Sequence, residues 1–307
     1  GAGDVNGDGY ADVVVGAPGA GGTTGKVYLF EGSAAGLTGS AASPAFSATG
    51  EATGNRFGES VTGAGDVNGD GYADVIVGAP GVSSNAGKVY LFQGSAAGLA
   101  GSAASPAFSA AGAGADDFFG HAVAAAGDVN GDGYADVIVG APGVDSETGK
   151  VYLFLGGAAG LTGTPNSPAF SASGENSGDR FGAAVAGVGD VNGDVYADVI
   201  VGADGVGSNM GRIYLFQGSA VGLTGNAAIP AFSASGEGID NRFGCDVTSA
   251  GDVNGDGYAD VIVGAYGVSS NTGKVYLFQG SAAGLTGDAA SPAFSTDGEG
   301  AANEFGA

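Results

Sequence analysis

Short apolar runs recur along the chain, each bounded by Gly, Pro, Asn, Asp or Ser. In the stretch between residues 57 and 110, Phe57–Gly65 reads as a first strand, Ala73–Ala79 as a second and Lys88–Gln93 as a third. A fourth lies around Ser105–Ala110, and Pro80-Gly81 predicts the turn between the second and third. Val75, Ile76 and Val77, and then Val89, Tyr90, Leu91 and Phe92, are apolar at consecutive positions. Both faces of that pleat are therefore apolar, and the sheet must be covered on both sides. Pro106 cannot donate to a ladder, which predicts the fourth strand at a sheet edge.

The pattern repeats. Asp-Val-Asn-Gly-Asp-Gly begins at Asp4, Asp66, Asp128 and Asp252, and a variant ending in Val begins at Asp190, so the period is 62 residues with no insertion or deletion. Calcium-binding β-helices have periods near nine residues, and helical solenoids need 3.6-residue periodicity; neither fits. Four strands per period make one blade, and the expected fold is all-β: residues 1–307 as a β-propeller of four-stranded antiparallel blades from five repeats. The chain starts at the equivalent of Gly63 and ends at the equivalent of Glu59. Two arrangements stay open, a five-bladed ring closed between the termini and a segment of a longer repeat protein.

The chemistry lies in the loops at 4–12, 66–74, 128–136, 190–198 and 252–260. Hard Ca²⁺ takes six to eight oxygens, and side-chain oxygens at loop positions 1, 3 and 5, a backbone carbonyl at 7 and a carboxylate at 9 can wrap one ion. The first loop offers Asp4, Asn6, Asp8, the Tyr10 carbonyl and Asp12; the second Asp66, Asn68, Asp70, Tyr72 and Asp74. The third offers Asp128, Asn130, Asp132, Tyr134 and Asp136, and the fifth Asp252, Asn254, Asp256, Tyr258 and Asp260. In the fourth, Asp190, Asn192, Asp194, Tyr196 and Asp198 keep the set, but Val195 replaces the glycine of position 6. A β-branched residue resists positive φ, so a distorted backbone or weaker affinity is expected there. Asp-Asn-Gly clusters also form polar turns without any ion. Five copies in register, holding 15 of the 32 acidic residues, favour the cation, because three crowded carboxylates repel one another. One Ca²⁺ per repeat would take the formal charge from −24 to −14. Loops of this kind also occur in dockerins and EF-hands, but those lead into helices, whereas Ala73–Val77 reads as a strand.

A Phe-Gly pair (Phe57-Gly58), a calcium-type loop and then Gly-Ala-Pro (Gly78-Ala79-Pro80) together resemble the FG-GAP repeat of integrin α-subunit propellers. Further Phe-Gly pairs start at Phe119, Phe181, Phe243 and Phe305, and Gly-Ala-Pro recurs at Gly16 and Gly140. Asp204 and Tyr266 stand where two of the prolines would be. The resemblance implies structural calcium on one face and ligand-binding loops on the other, and a usual count of seven blades against five copies here.

Composition narrows the partners. The −24 charge, with only 8 Lys and Arg, argues against nucleic acid and anionic membrane surfaces as partners. No apolar run is long enough for a transmembrane helix, so no membrane insertion is expected. Cys245 is the single cysteine, and the acidic, Lys-poor balance leans toward an extracellular or cell-surface protein. His121 is the single histidine; it aligns with Glu59, Ala183 and Cys245, a variable position expected to line a channel. No constellation for turnover is present, and no enzyme is expected. Glu51 with Arg56, Glu175 with Arg180, and Glu237 with Arg242 are expected as exposed pairs, and Lys26, Lys88, Lys150, Arg212 and Lys274 as a solvated or acid-paired series. Tyr28, Tyr90, Tyr152, Tyr214 and Tyr276 read as core, with sugar stacking as the alternative. The functional expectation is an adhesion or protein-recognition scaffold with structural calcium, using loops such as 82–86 and 111–117. Alternatives are a lectin binding glycan and a self-associating subunit of a surface layer or filament.

Overall fold

The computed structural model describes residues 1–307. The first repeat gives a three-stranded sheet of β1 (Val13–Ala17), β2 (Lys26–Phe30) and β3 (Phe46–Thr49). The second gives β4 (Val61–Gly65), β5 (Asp74–Ala79), β6 (Lys88–Phe92) and β7 (Phe108–Ala111), and the third β8 (Ala122–Gly127), β9 (Asp136–Ala141), β10 (Lys150–Phe154) and β11 (Phe170–Ser173). The fourth gives β12 (Ala184–Gly189), β13 (Asp198–Ala203), β14 (Arg212–Phe216) and β15 (Phe232–Ser235). The fifth gives β16 (Val247–Gly251), β17 (Asp260–Ala265), β18 (Lys274–Phe278) and β19 (Phe294–Asp297). Strand order within each sheet follows chain order. The fold is all-β, and each sheet is the up-and-down meander of a propeller blade. The chain divides into two compact units, one made of residues 1–125, 132–139 and 153–169, the other of 126–131, 140–152 and 170–307.

Within each unit the core lies between consecutive sheets. Every residue of β5 is buried, as its unbroken apolar run requires. Phe57 is fully buried and meets the Tyr90 ring edge-on at 5.1 Å and Phe92 at 6.3 Å. In the second unit Phe243 meets Tyr276 and Phe278 in the same way, at 5.0 and 6.1 Å.

The two halves of the repeat signature touch, and glycine is what lets them. Gly58 donates its N–H to the Gly78 carbonyl at 2.9 Å. A Cβ on Gly78 would sit 2.0 Å from the carbonyl oxygen of Gly120 in the next repeat, so no side chain fits. Gly202 stands in the same relation to Gly244.

Two strand expectations need correction. Phe57 and Gly58 precede the first strand, which starts at Val61; Gly58 takes φ +83° and Phe57 bridges Gly25 of the preceding repeat, so this pair joins sheets instead of extending one. Pro106 lies in the turn ahead of β7, whose edge position comes from strand order and not from a missing donor. No helix is long and apolar enough to cross a membrane.

Candidate metal centre

The second, fourth and fifth acidic loops each follow a bulge. The pairing of β4 with β5 slips between Gly63 and Gly65, as it does between Gly187 and Gly189 and between Ser249 and Gly251, and the extra residue turns the chain into the loop.

Inside the loop the first carboxylate organises the backbone. Asp66 Oδ1 accepts from the N–H of Gly69 (2.7 Å) and Asp70 (3.1 Å), and Oδ2 accepts from Gly71 (2.8 Å). Asn68 Oδ1 accepts from Asp70 N–H, and Asp70 Oδ1 from Tyr72 N–H, both at 3.1 Å. The first loop repeats this around Asp4, Asn6 and Asp8, and the fifth around Asp252, Asn254 and Asp256. In the third loop Asp128 accepts from Gly131 at 2.7 Å and Asp132 from Tyr134 at 3.1 Å. These bonds favour the charged form: the Gly9 N–H, first among them, holds the Asp4 carboxyl below the ordinary carboxylate range, and Gly257 does the same for Asp252.

The ninth residue has a different place. Asp12, Asp74, Asp136, Asp198 and Asp260 are all buried. Asp74 Oδ2 accepts from Val67 N–H and Oδ1 from Gly94 N–H, both at 2.9 Å, so one carboxylate ties the loop to the chain leaving β6. Burial pushes the Asp74 carboxyl up to about 6 against the pull of those two bonds, and the charges of Asp70 and Asp66 add to the rise. Asp198 is pushed to about 6 for the same reasons. The signal in the sequence for this tie is Gly32, Gly94, Gly156, Gly218 and Gly280, two residues past each third strand. A Cβ on Gly94 would meet the Ala73 carbonyl at 2.4 Å.

Consecutive loops also interlock: a Cβ on Gly7 would lie 2.7 Å from the Tyr72 ring, and Gly69 faces Tyr134 identically. Val195 keeps its loop's shape at φ +76°, with its N–H on Asp190 Oδ2 at 2.7 Å and its side chain 84% exposed. The distorted backbone expected for that substitution is not seen, and a β-branched residue is instead held at positive φ.

As the side chains stand, no group of three or more His, Cys, Asp or Glu gathers closely enough to hold a metal ion. The expected ligands of the second loop are instead turned onto backbone N–H groups, and Asp74 is drawn inward. The donor type and order still suit a hard cation: Asp66 Oδ1 accepts two N–H groups, but Asp66 Oδ2, Asn68 Oδ1 and both Asp74 oxygens accept one each and retain a second lone pair.

At the other end of each sheet the second and third strands are joined by a short left-handed turn, with Ser83, Ser84 and Asn85 at φ 51°, 57° and 62°. Asn85 Nδ2 donates to Asp116 Oδ1 at 2.9 Å and the Asn85 carbonyl accepts from Phe118 N–H at 2.8 Å. The loops 82–86 and 111–117 thus form one surface. The Glu–Arg pairs expected from sequence are not the ones formed. Glu51 and Glu237 each reach the third-strand lysine instead, Lys88 and Lys274, at 2.7 Å, and Glu175 lies 3.8 Å from Arg212. Each of those cations also lies over the tyrosine two residues on, Lys88 at 4.6 Å from the Tyr90 centroid. Tyr90, Tyr152, Tyr214 and Tyr276 are buried, which removes their ring faces from sugar stacking. His121 sits just before β8, with Nδ1 3.9 Å from Glu59.

Comparison with known proteins agrees with the repeat signature. Residues 1–30, 57–92, 119–154 and 246–278 match the FG-GAP repeat. Integrin alpha-IIb of Mus musculus is 39% identical over 163 residues, 50% of this chain and 15% of that protein. Integrin alpha-IIb of Homo sapiens is 38% identical over 53% of this chain and 16% of its own length, and integrin alpha-4 of Xenopus laevis 34% identical over 52% and 15%. The chain thus spans about one-seventh of the curated relatives it matches. The solved Dos1 propeller superposes with a TM-score of 0.44 at 12% identity, over 83% of this chain and 51% of that one. The chain carries FG-GAP repeats, and through them it resembles integrin α subunits.

Proposed function

We propose that the chain is a calcium-stabilised β-propeller, residues 1–307 acting as one non-enzymatic adhesion or recognition scaffold at the cell surface or outside the cell, with a protein ligand. Calcium would be held, one ion per loop, by the side chains at positions 1, 3, 5 and 9 and the carbonyl at 7, with Asp66, Asn68, Asp70, Tyr72 and Asp74 as the pattern. The observation that carries this reading is the buried ninth-position carboxylate. Asp74 is buried with two N–H partners and feels the like charges of Asp70 and Asp66, and a divalent ion bound between these side chains would offset both the burial and the like charge.

Calcium in that place fastens the end of the first strand to the start of the second, and binding free energy becomes folding free energy. Extracellular calcium modules bind at about 0.1–1 mM, and calcium at about ten times Kd stabilises by about 1.4 kcal/mol for each site that empties on unfolding. Melting in calcium and in EDTA tests the reading: a clear rise with calcium is expected, and identical melting curves would reject it. Magnesium at equal concentration is expected to give a smaller rise, because it demands octahedral geometry and keeps its waters.

A further inference from the structure

The five repeats are so alike that their departures stand out, and several fall at one place. Arg56, Arg180 and Arg242 each precede a Phe-Gly pair. Arg56 has a local partner, Glu59, three residues on. The equivalents of Glu59 in the next two arginine-bearing repeats are Ala183 and Cys245, so Arg180 and Arg242 have none. Both turn instead to Asp204, which replaces the proline of Gly-Ala-Pro. Arg180 Nη1 and Arg242 Nη1 each donate to Asp204 Oδ2 at 2.9 Å.

The arrangement is rigid. Asp204 is 4% exposed, and its Oδ1 is buried and accepts no bond. Both arginines sit at positive φ, 56° and 54°, fixed by N–H bonds of 2.7 Å to the carbonyls of Glu147 and Asn209 in the left-handed turns. The ring of Tyr266, in the other departing repeat, lies 5.7 Å from the Arg242 guanidinium. Two guanidinium groups on one carboxylate leave one surplus positive charge in a chain of net charge −24. Their side chains remain 34% and 28% exposed, with donors beyond the Nη1 groups.

We propose that Arg180 and Arg242, held by Asp204, form a docking site for a single carboxylate on a protein ligand. A planar fork suits a carboxylate bidentately. A polysulfated glycan or other polyanion would be repelled by the acidic remainder of the chain, whereas one carboxylate in otherwise uncharged or basic surroundings would not. The site deepens the recognition reading by naming the ligand's chemistry, and it does not depend on the calcium loops.

With only four arginines, the ¹⁵N Nε–Hε spectrum of the calcium-loaded chain has four signals to follow. The chain is titrated at constant ionic strength with a capped Gly-Asp-Gly peptide, its Gly-Asn-Gly counterpart and inorganic sulfate. The Arg180 and Arg242 signals are expected to move together and saturably with the Asp peptide alone, with Arg56 and Arg212 still. A common linear drift of all four, equal response to the Asn peptide, or tighter binding of sulfate would overturn the proposal. Asp204→Pro restores the turn of Pro18, Pro80 and Pro142 and should fold, yet lose the saturable response. Arg242→Lys keeps the charge but not the fork and should weaken binding about tenfold, one charge-assisted hydrogen bond's worth. Wild-type affinity in either variant would equally overturn it. The melting shift with calcium, recorded on the same samples, reports the loops separately, so either reading can fail while the other stands.

Discussion

Val195 offers a measurement of what the position-6 glycine contributes, because the fold holds a valine and four glycines in one conformation. Val195 lies at φ +76°; Gly9, Gly71, Gly133 and Gly257 lie between +88° and +91°. The surrounding bonds match as well, since Val195 N–H reaches Asp190 at 2.7 Å and Gly71 N–H reaches Asp66 at 2.8 Å. The strain has therefore not been released by abandoning the turn. A left-handed φ costs an L-residue about 1–2 kcal/mol, with β-branched residues at the upper end. Val195→Gly removes that cost and adds about 0.5–1 kcal/mol of unfolded-chain entropy. It gives up almost no burial, because the valine is 84% exposed. The net expectation is a gain of about 0.5–1 kcal/mol, or about 1–4 °C in melting temperature.

Gly71→Val is the mirror control. A Cβ there meets nothing within 4 Å, so the substitution introduces backbone strain without a clash and should lose about what Val195→Gly gains. Calorimetry in EDTA reads the strain alone. In saturating calcium the gain at position 195 should widen if strain also keeps the fourth loop's oxygens from closing on the ion. A Val195→Gly protein no more stable than its parent, beside a neutral Gly71→Val, would refute the reasoning.

Further outcomes follow from the packing. Phe57→Ala empties a site between two sheets and should cost about 3–5 kcal/mol in urea unfolding, against little for Phe294→Ala, whose ring is 57% exposed. Gly78→Ala drives a methyl to 2.0 Å from the Gly120 carbonyl and should unfold at markedly lower urea; an unchanged midpoint would show that the sheets can part there. Asp74→Ala orphans the N–H groups of Val67 and Gly94 and should cost about 1–3 kcal/mol for each, even in EDTA, where a purely metal-binding role would cost nothing. Burial pushes the Cys245 thiol up to about 11. Only about one molecule in a thousand is then thiolate at pH 8, and alkylation by iodoacetamide should be slow and rise about tenfold per pH unit up to that value. Rapid labelling at pH 8 would contradict the burial.

How much the sequence discloses depends on whether an interaction leaves a periodic mark. The acidic loops, the four strands and the 62-residue step do, because hydrogen-bonded ladders and oxygen donors demand fixed residue types at fixed spacing. The Phe-Gly and Gly-Ala-Pro glycines mark themselves as well, but their contact links residues 42 apart, Gly78 to Gly120, and no local pattern states what each glycine meets. Phe57 misleads for the same reason: a large apolar residue ahead of a strand reads as part of it, although its partners are Tyr90 and Phe92 in the third strand. The buried tie of Asp74 to Gly94 is visible only as a recurrent glycine whose purpose the spacing does not give.

Asp204 is the opposite case. It breaks the repeat, and from sequence it reads as a turn variant that leaves the blade unchanged, yet it gathers two arginines that have no glutamate at 183 or 245 to pair with locally. In a chain this regular the repeated residues build the sheets, since every copy must solve the same packing problem. What distinguishes one copy's surface from another's must then come from the exceptions, and that is where the proposed carboxylate site lies. Exchanging the Asp204 and Tyr266 turns for Gly-Ala-Pro together should leave the fold and its calcium response intact while erasing carboxylate recognition. Loss of the calcium response along with it would mean that the two ends of the sheets are coupled and that this division of labour is wrong.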